Sequence, residues 1–152
     1  MHESIPLGTA GALGLLPNIN QKLPIIMMNG DLLTSIDFKN LLDFHNQSHN
    51  IATMCVREYD IQVPFGVVNI SDENILSIEE KPTHTFFVNA GIYVMNPAFF
   101  ESVTGDKFID IPDLFNSEIS RNHKIGAYPV HENWIDIGRI DEYEKANREI
   151  SK

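Results

Sequence analysis

The chain has 152 residues, 43% of them hydrophobic and 21% charged, the make-up of a single globular domain, here spanning 1–152, with a core of its own. A net charge of −10, from 21 acidic against 11 basic residues, excludes a nucleic-acid binder or a peptide lying on an anionic membrane, since both need a basic face. Phosphate ligands remain open, because they need only one or two placed cations and a metal.

The single cysteine, Cys55, lies inside an apolar strand pattern and reads as a small buried residue rather than a nucleophile. With no disulfide available within the chain, a reducing compartment is expected. No leader and no apolar run long enough to span a bilayer is read, so the expected location is cytoplasmic. The sequons Asn46-Gln47-Ser48 and Asn69-Ile70-Ser71 are then accidental.

In chain order, Gly8 leads to Thr9 as an N-cap, and Ala10 to Leu16 is expected to form a short helix. A glycine-flanked helix start offers backbone N–H groups to a phosphate or nucleotide, while close packing of small residues on a sheet explains the same composition. Leu23 to Asp31 is a short apolar run ending in Asn29-Gly30-Asp31. It reads as a buried parallel strand whose carboxyl end opens on a crevice, where ligands bind in open α/β sheets. Asp31 is a hard oxygen donor of the kind Mg²⁺ takes, although an ordinary Asx turn uses the same residues.

Phe38, Leu41, Leu42 and His45 recur at helical spacing within 37–50, with Ser35 or Asp37 as cap, and Ile51 to Val56 is a second buried strand. The two strands and the helix between them suggest a β-α-β unit, with Arg57, Glu58 and Tyr59 at its ligand-side end or in the loop after it. Runs within 63–70 and 74–79 form an antiparallel pair, stopped by Pro82. Phe86 to Met95 is a long strand in which Asn89, Ala90 and Gly91 mark a bulge or a close approach of ligand. Helices are expected at 96–97 onward and at 111–122, a strand at 124–130, and a short segment Trp134 to Gly138 holding a second carboxylate, Asp136. A charged helix is expected over 139–149. The six histidines show no ligand spacing and are read as surface residues.

Six short motifs occur in order: Leu7-Gly8-Thr9-Ala10-Gly11, Asn29-Gly30-Asp31, Phe65-Gly66-Val67, Glu79-Glu80-Lys81-Pro82, Val88-Asn89-Ala90-Gly91-Ile92-Tyr93 and Trp134-Ile135-Asp136-Ile137-Gly138. Together they resemble the sugar-1-phosphate nucleotidyltransferases, above all the group acting on mannose, heptose or glucosamine 1-phosphate with GTP. Each motif alone is weak, but the series covers about residues 2 to 150. The family's N-terminal glycine-rich loop, G-G-x-G-T-R-L-x-P-x-T, has no counterpart here. The chain therefore resembles the C-terminal two-thirds of such a domain, and as a fragment it is expected to be inactive.

The resemblance implies a three-layer α/β/α Rossmann-like fold with a mixed, mainly parallel sheet, lacking its N-terminal strands. It implies transfer of GMP from GTP to a sugar 1-phosphate with release of pyrophosphate, and Mg²⁺ held by Asp31 and Asp136. By the same resemblance Lys81 contacts the sugar phosphate, Glu80 the sugar hydroxyls, and Gly66 and Asn89 complete the sugar pocket. Gly8, Thr9, Ala10 and Gly11 match the segment beside the nucleoside. Trp134 is read as core or pocket wall.

Without the resemblance, Glu79-Glu80-Lys81 is a solvated turn and Asp136 a helix N-cap. Two further readings stand beside the enzyme: a non-catalytic regulatory or assembly module of the same fold, and a GT-A glycosyltransferase. The latter wants D-x-D, and Asp31-Leu32-Leu33 lacks it. Without a neighbour on its outer side the 23–28 strand becomes an open edge, so a homo-oligomer is expected.

Overall fold

A computed structural model describes residues 5–17 and 22–138. The expected helix over 139–149 lies outside them.

A four-stranded sheet in the order β1-β6-β3-β7 forms the middle layer. Its strands are β1 (Ile25–Met28), β3 (Ala52–Gln62), β6 (Thr83–Met95) and β7 (Ile125–Pro129). Strand β6 alternates its faces. Tyr93 and Met95 point into one core with Ala10, Leu13, Phe99, Leu114 and Phe115, while Ile92 and Val94 point into another with Leu41 and Cys55. The first core is roofed by α1 (Gly8–Gly11), a following 3-10 turn (Ala12–Leu15), α3 (Pro97–Phe100) and α4 (Ile111–Ser120). The second is roofed by α2 (Phe38–Gln47). That is the expected three-layer α/β fold with a mixed sheet.

Helix α2 forms because its apolar stripe buries Leu41 and His45, and because Asp37 accepts hydrogen bonds from the amides of Lys39 (2.8 Å) and Asn40 (3.1 Å). His45 departs from the surface reading of the histidines. It is buried, with Nδ1 on Thr53 Oγ1 (2.9 Å) and Nε2 on Asn96 Oδ1 (3.3 Å). Cys55 is buried as expected, and burial pushes its thiol up to about 12, with the Glu132 carboxylate acting in the same direction.

Several expectations are corrected. β1 is an edge strand, as expected of 23–28 without an outer neighbour, but it is shorter than read and not fully buried, with Ile26 42% and Met28 43% exposed. β1, β3 and β7 share a direction, as a mainly parallel sheet requires, yet β6 runs against them and pairs with both β1 and β3. The supposed β-α-β unit therefore has a strand inserted between its two halves. β3 continues through Arg57, Glu58 and Tyr59 to Gln62, because β6 pairs with it along its length. Near the N-terminus, α1 starts at Gly8 and lasts four residues; Leu7, not Thr9, occupies its N-cap position, with no side-chain cap.

Two small two-stranded ribbons flank the sheet among the described residues. β4 (Gly66–Ser71) and β5 (Asn74–Glu80) form the expected antiparallel hairpin, and β2 (Leu32–Thr34) pairs antiparallel with β8 (Trp134–Asp136). Among the described residues no helix is long and apolar enough to cross a membrane.

Candidate functional site

The β2–β8 ribbon is short, but its register matters most. Leu32 pairs with Asp136, so Asp31, one residue before β2, stands beside the end of β8. The Ile137 amide donates to the Asp31 carbonyl at 2.9 Å and closes the junction. Both carboxylates then turn toward Gly138. A Cβ there would lie 3.0 Å from Asp136 Oδ1 and 3.1 Å from Asp31 Oδ2, which puts the two oxygens within about 6 Å of each other. The Gly138 amide also donates to Asp136 Oδ1 at 3.0 Å. Two like charges held this close without a cation between them repel. Among the described residues neither carboxylate enters an ion pair.

The donor chemistry suits a divalent cation. Two carboxylates are hard oxygen ligands with open positions left over, the pattern by which Mg²⁺ is shared between protein and phosphates. Among the described residues no group of three or more His, Cys, Asp or Glu side chains is arranged to hold a metal, so a closed all-protein cage is not what this site offers.

A second cluster lies in the β4–β5 hairpin. Gly66 pairs with Glu80, and Glu80 Oε2 lies 3.1 Å from where a Gly66 Cβ would be. Lys81 follows with φ 47°, a left-handed conformation. Among the described residues the other non-glycine residues with positive φ are His49, Asp72 and Asn122, types that tolerate it; a lysine there is less usual. Among the described residues Lys81 has no salt-bridge partner, and no hydrogen bond or ion pair joins this hairpin to the Asp31–Asp136 pair.

Asn89 stands on β6 between two fixed partners. Its Nδ2 donates to the Tyr93 hydroxyl at 2.8 Å, and its Oδ1 accepts from the Gly91 amide at 2.9 Å. Burial pushes the Tyr93 phenol up, which keeps it neutral, while the Asn89 amide pulls the other way. Asn89 also lines a groove of about 600 Å³ between α4 and the sheet, with Met54, Phe87 and Phe115.

At the N-terminal motif the helix start offers less than expected. The Thr9 amide donates to Asp110 Oδ1 at 2.9 Å, and the Ala10 amide to the Ile109 carbonyl at 2.9 Å. Thr9 Oγ1 donates to Asp110 Oδ1 (3.1 Å) and accepts from the Ile111 amide (2.9 Å), tying α1 to α4. Gly8, at φ +78°, leaves no space for a side chain against Ile109, and Ala10 and Gly11 are buried. Thr9 and Ala10 therefore have no free amide for a phosphate.

Sequence reasoning passed over Gly138. Its signal was the glycine two residues after a strand-end carboxylate, where two acidic side chains need the room of a missing Cβ.

A family profile described as nucleotidyl transferase matches residues 1–152. The chain belongs to that family. Among curated relatives, the nucleotidyltransferase named mannose-1-phosphate guanylyltransferase catalytic subunit beta from Dictyostelium discoideum is 28% identical over 147 residues, 93% of this chain and 41% of that one. D-glycero-alpha-D-manno-heptose 1-phosphate guanylyltransferase from Aneurinibacillus thermoaerophilus is 27% identical over 150 residues, 97% of this chain and 65% of that one. Among solved structures, HddC from Yersinia pseudotuberculosis superimposes with a TM-score of 0.65 at 26% identity, covering 97% of this chain and 64% of that one. The chain thus spans from about two fifths to just under two thirds of these nucleotidyltransferases.

Proposed function

We propose that this chain is the sugar-phosphate and metal-binding part of a sugar-1-phosphate nucleotidyltransferase, the C-terminal two-thirds of one such domain. The reaction is transfer of a nucleoside monophosphate, GMP from GTP, to a sugar 1-phosphate, giving a nucleotide sugar and pyrophosphate. The observation that carries this reading is the convergence of Asp31 and Asp136 on Gly138 across the β2–β8 ribbon. Guanine is favoured by the names of the mannose and heptose relatives.

In this reaction a sugar-phosphate oxygen attacks the α-phosphorus in line and pyrophosphate leaves, so positioning and charge neutralisation dominate and no side chain need act as nucleophile. Mg²⁺, when bound, supplies positive charge to the phosphate oxygens. Asp31 and Asp136 would hold it. Lys81 would neutralise the sugar phosphate. Glu80 would accept hydrogen bonds from sugar hydroxyls, the Gly66 amide would donate one, and Asn89 would turn its amide from Tyr93 to the sugar. Gly8, Thr9, Ala10 and Gly11 would back the nucleoside.

No glycine-rich phosphate loop occurs within these 152 residues. The chain alone is therefore expected to bind sugar 1-phosphate without turning it over, in the cytoplasm, as a homo-oligomer. The experiment is ³¹P NMR of GTP, Mg²⁺ and a panel of hexose and heptose 1-phosphates with the protein encoded by the whole reading frame. Pyrophosphate and GDP-sugar signals support the reading; their absence across the panel with each of the common NTPs sinks it and leaves a regulatory or assembly module.

A further inference from the structure

β6 departs from regular pairing at one place. Met54 pairs with Tyr93 but Val56 with Asn89, so Cys55 alone faces Ala90, Gly91 and Ile92. The resulting bulge needs φ +70° at Gly91, where a Cβ would meet Asn29 Nδ2 at 2.8 Å. The Asn89 side chain braces it by accepting from the Gly91 amide and donating to the Tyr93 hydroxyl.

Two consecutive carbonyls of this bulge are spent on the two segments that carry Asp31 and Asp136. The Gly91 carbonyl accepts from the Asn29 amide at 2.9 Å, two residues before Asp31. The Ala90 carbonyl accepts from Trp134 Nε1 at 2.8 Å, two residues before Asp136. On its ring face Trp134 carries the Arg57 guanidinium, 5.8 Å from the ring centroid, and Arg57 Nη1 is tied to the Glu132 carbonyl at 2.9 Å.

The β2–β8 ribbon has three residues on each side, and a two-stranded ribbon is marginal even when longer. Its ladder is too short to hold two repelling carboxylates at fixed separation. A metal site needs its ligands held to about half an ångström by supporting groups.

We propose that Trp134 is a positioning residue: its indole N–H, bonded to the Ala90 carbonyl, sets Asp136 against Asp31 from the same bulge that anchors Asn29. This rests on the reading of Asp31 and Asp136 as the metal pair. The side chain does more than fill space, because Nε1 measures the height of β8 over β6 and the ring packing does not.

Trp134 is the only tryptophan, so the N–H can be deleted without altering shape. The experiment titrates the full chain with Mn²⁺, following free Mn²⁺ by electron paramagnetic resonance. Four forms are compared with the wild type: Asp31→Asn, Asp136→Asn, chain grown with benzothienylalanine (sulfur in place of the indole N–H), and chain grown with 5-fluorotryptophan, which keeps the N–H. Saturable binding in the wild type, lost in both asparagine variants, is expected. The sulfur isostere should bind about tenfold more weakly and the fluorinated chain as the wild type, the range seen when groups supporting metal ligands are removed. A sulfur isostere that binds Mn²⁺ as tightly as the wild type overturns the positioning role while leaving the metal pair standing. Binding unchanged in the asparagine variants, or no saturable binding in the wild type, overturns the metal pair and the positioning role with it. Trp134→Phe, checked for folding by circular dichroism, should repeat the isostere's result.

Discussion

Asp31 and Asp136, 105 positions apart in sequence, meet over Gly138 because Leu32 and Asp136 are cross-strand partners. The arrangement costs stability in the absence of a cation, since two carboxylates face each other and, among the described residues, neither enters an ion pair. Asp31→Asn or Asp136→Asn should therefore leave the metal-free chain as stable as the wild type or a few tenths of a kcal/mol more so. Millimolar Mg²⁺ should raise the melting temperature of the wild type, and each substitution should abolish that rise. Differential scanning calorimetry with and without Mg²⁺ reads both effects. Equal Mg²⁺ shifts in wild type and variants would refute the pairing.

Gly138→Ala tests the same junction by steric means. A methyl group there presses on both carboxylates at 3.0 and 3.1 Å. Metal affinity should fall, with a stability change under about 1 kcal/mol because the site is exposed. Metal titration beside urea denaturation separates the two.

Lys81 holds a left-handed backbone that costs a non-glycine residue about 1 kcal/mol. Lys81→Gly should leave stability unchanged or raise it by up to about 1 kcal/mol, while sugar 1-phosphate binding, followed by isothermal titration calorimetry, drops. A variant that loses stability and keeps the ligand would place Lys81 in the fold rather than the site.

The Cys55 thiol is held well above its ordinary 9.0, at about 12, by burial. Below pH 9 folded and unfolded chains both keep the proton, and the stabilisation is complete. From about 9 to 12 the unfolded thiol ionises while the folded one does not, so stability falls as pH rises through that window. Denaturation midpoints of wild type and Cys55→Ala at pH 8 and 10.5 check the sign: the gap between the two proteins should move against the wild type at the higher pH. The native thiol should resist iodoacetamide at pH 8 until the chain is unfolded.

Among the described residues β1 pairs only with β6 and leaves its other edge open, with Ile26 and Met28 exposed on the strand. The chain should associate as its concentration rises, and Ile26→Lys should suppress this. Light scattering across a concentration series decides it; a monodisperse monomer at every concentration counts against edge pairing.

Local pattern was enough for several elements. The Phe38, Leu41, Leu42, His45 stripe and the Asp37 cap specified α2, two short adjacent runs stopped by Pro82 specified the β4–β5 hairpin, and Asn89-Ala90-Gly91 marked the bulge. These depend on residues within one or two turns of each other, where side-chain spacing and backbone preference act directly. Strand neighbours do not. Apolar runs made 23–31 and 51–56 strands but could not say that β6, later in the chain than both, would come between them. Nor could it say that the Thr9 amide would be taken by Asp110, 101 positions away. Sequence by itself determined which segments become helices and strands, and that two carboxylates end apolar runs. Only the tertiary structure decided that those carboxylates face each other, because pairing partners are chosen by packing across the whole chain, where no local pattern reaches.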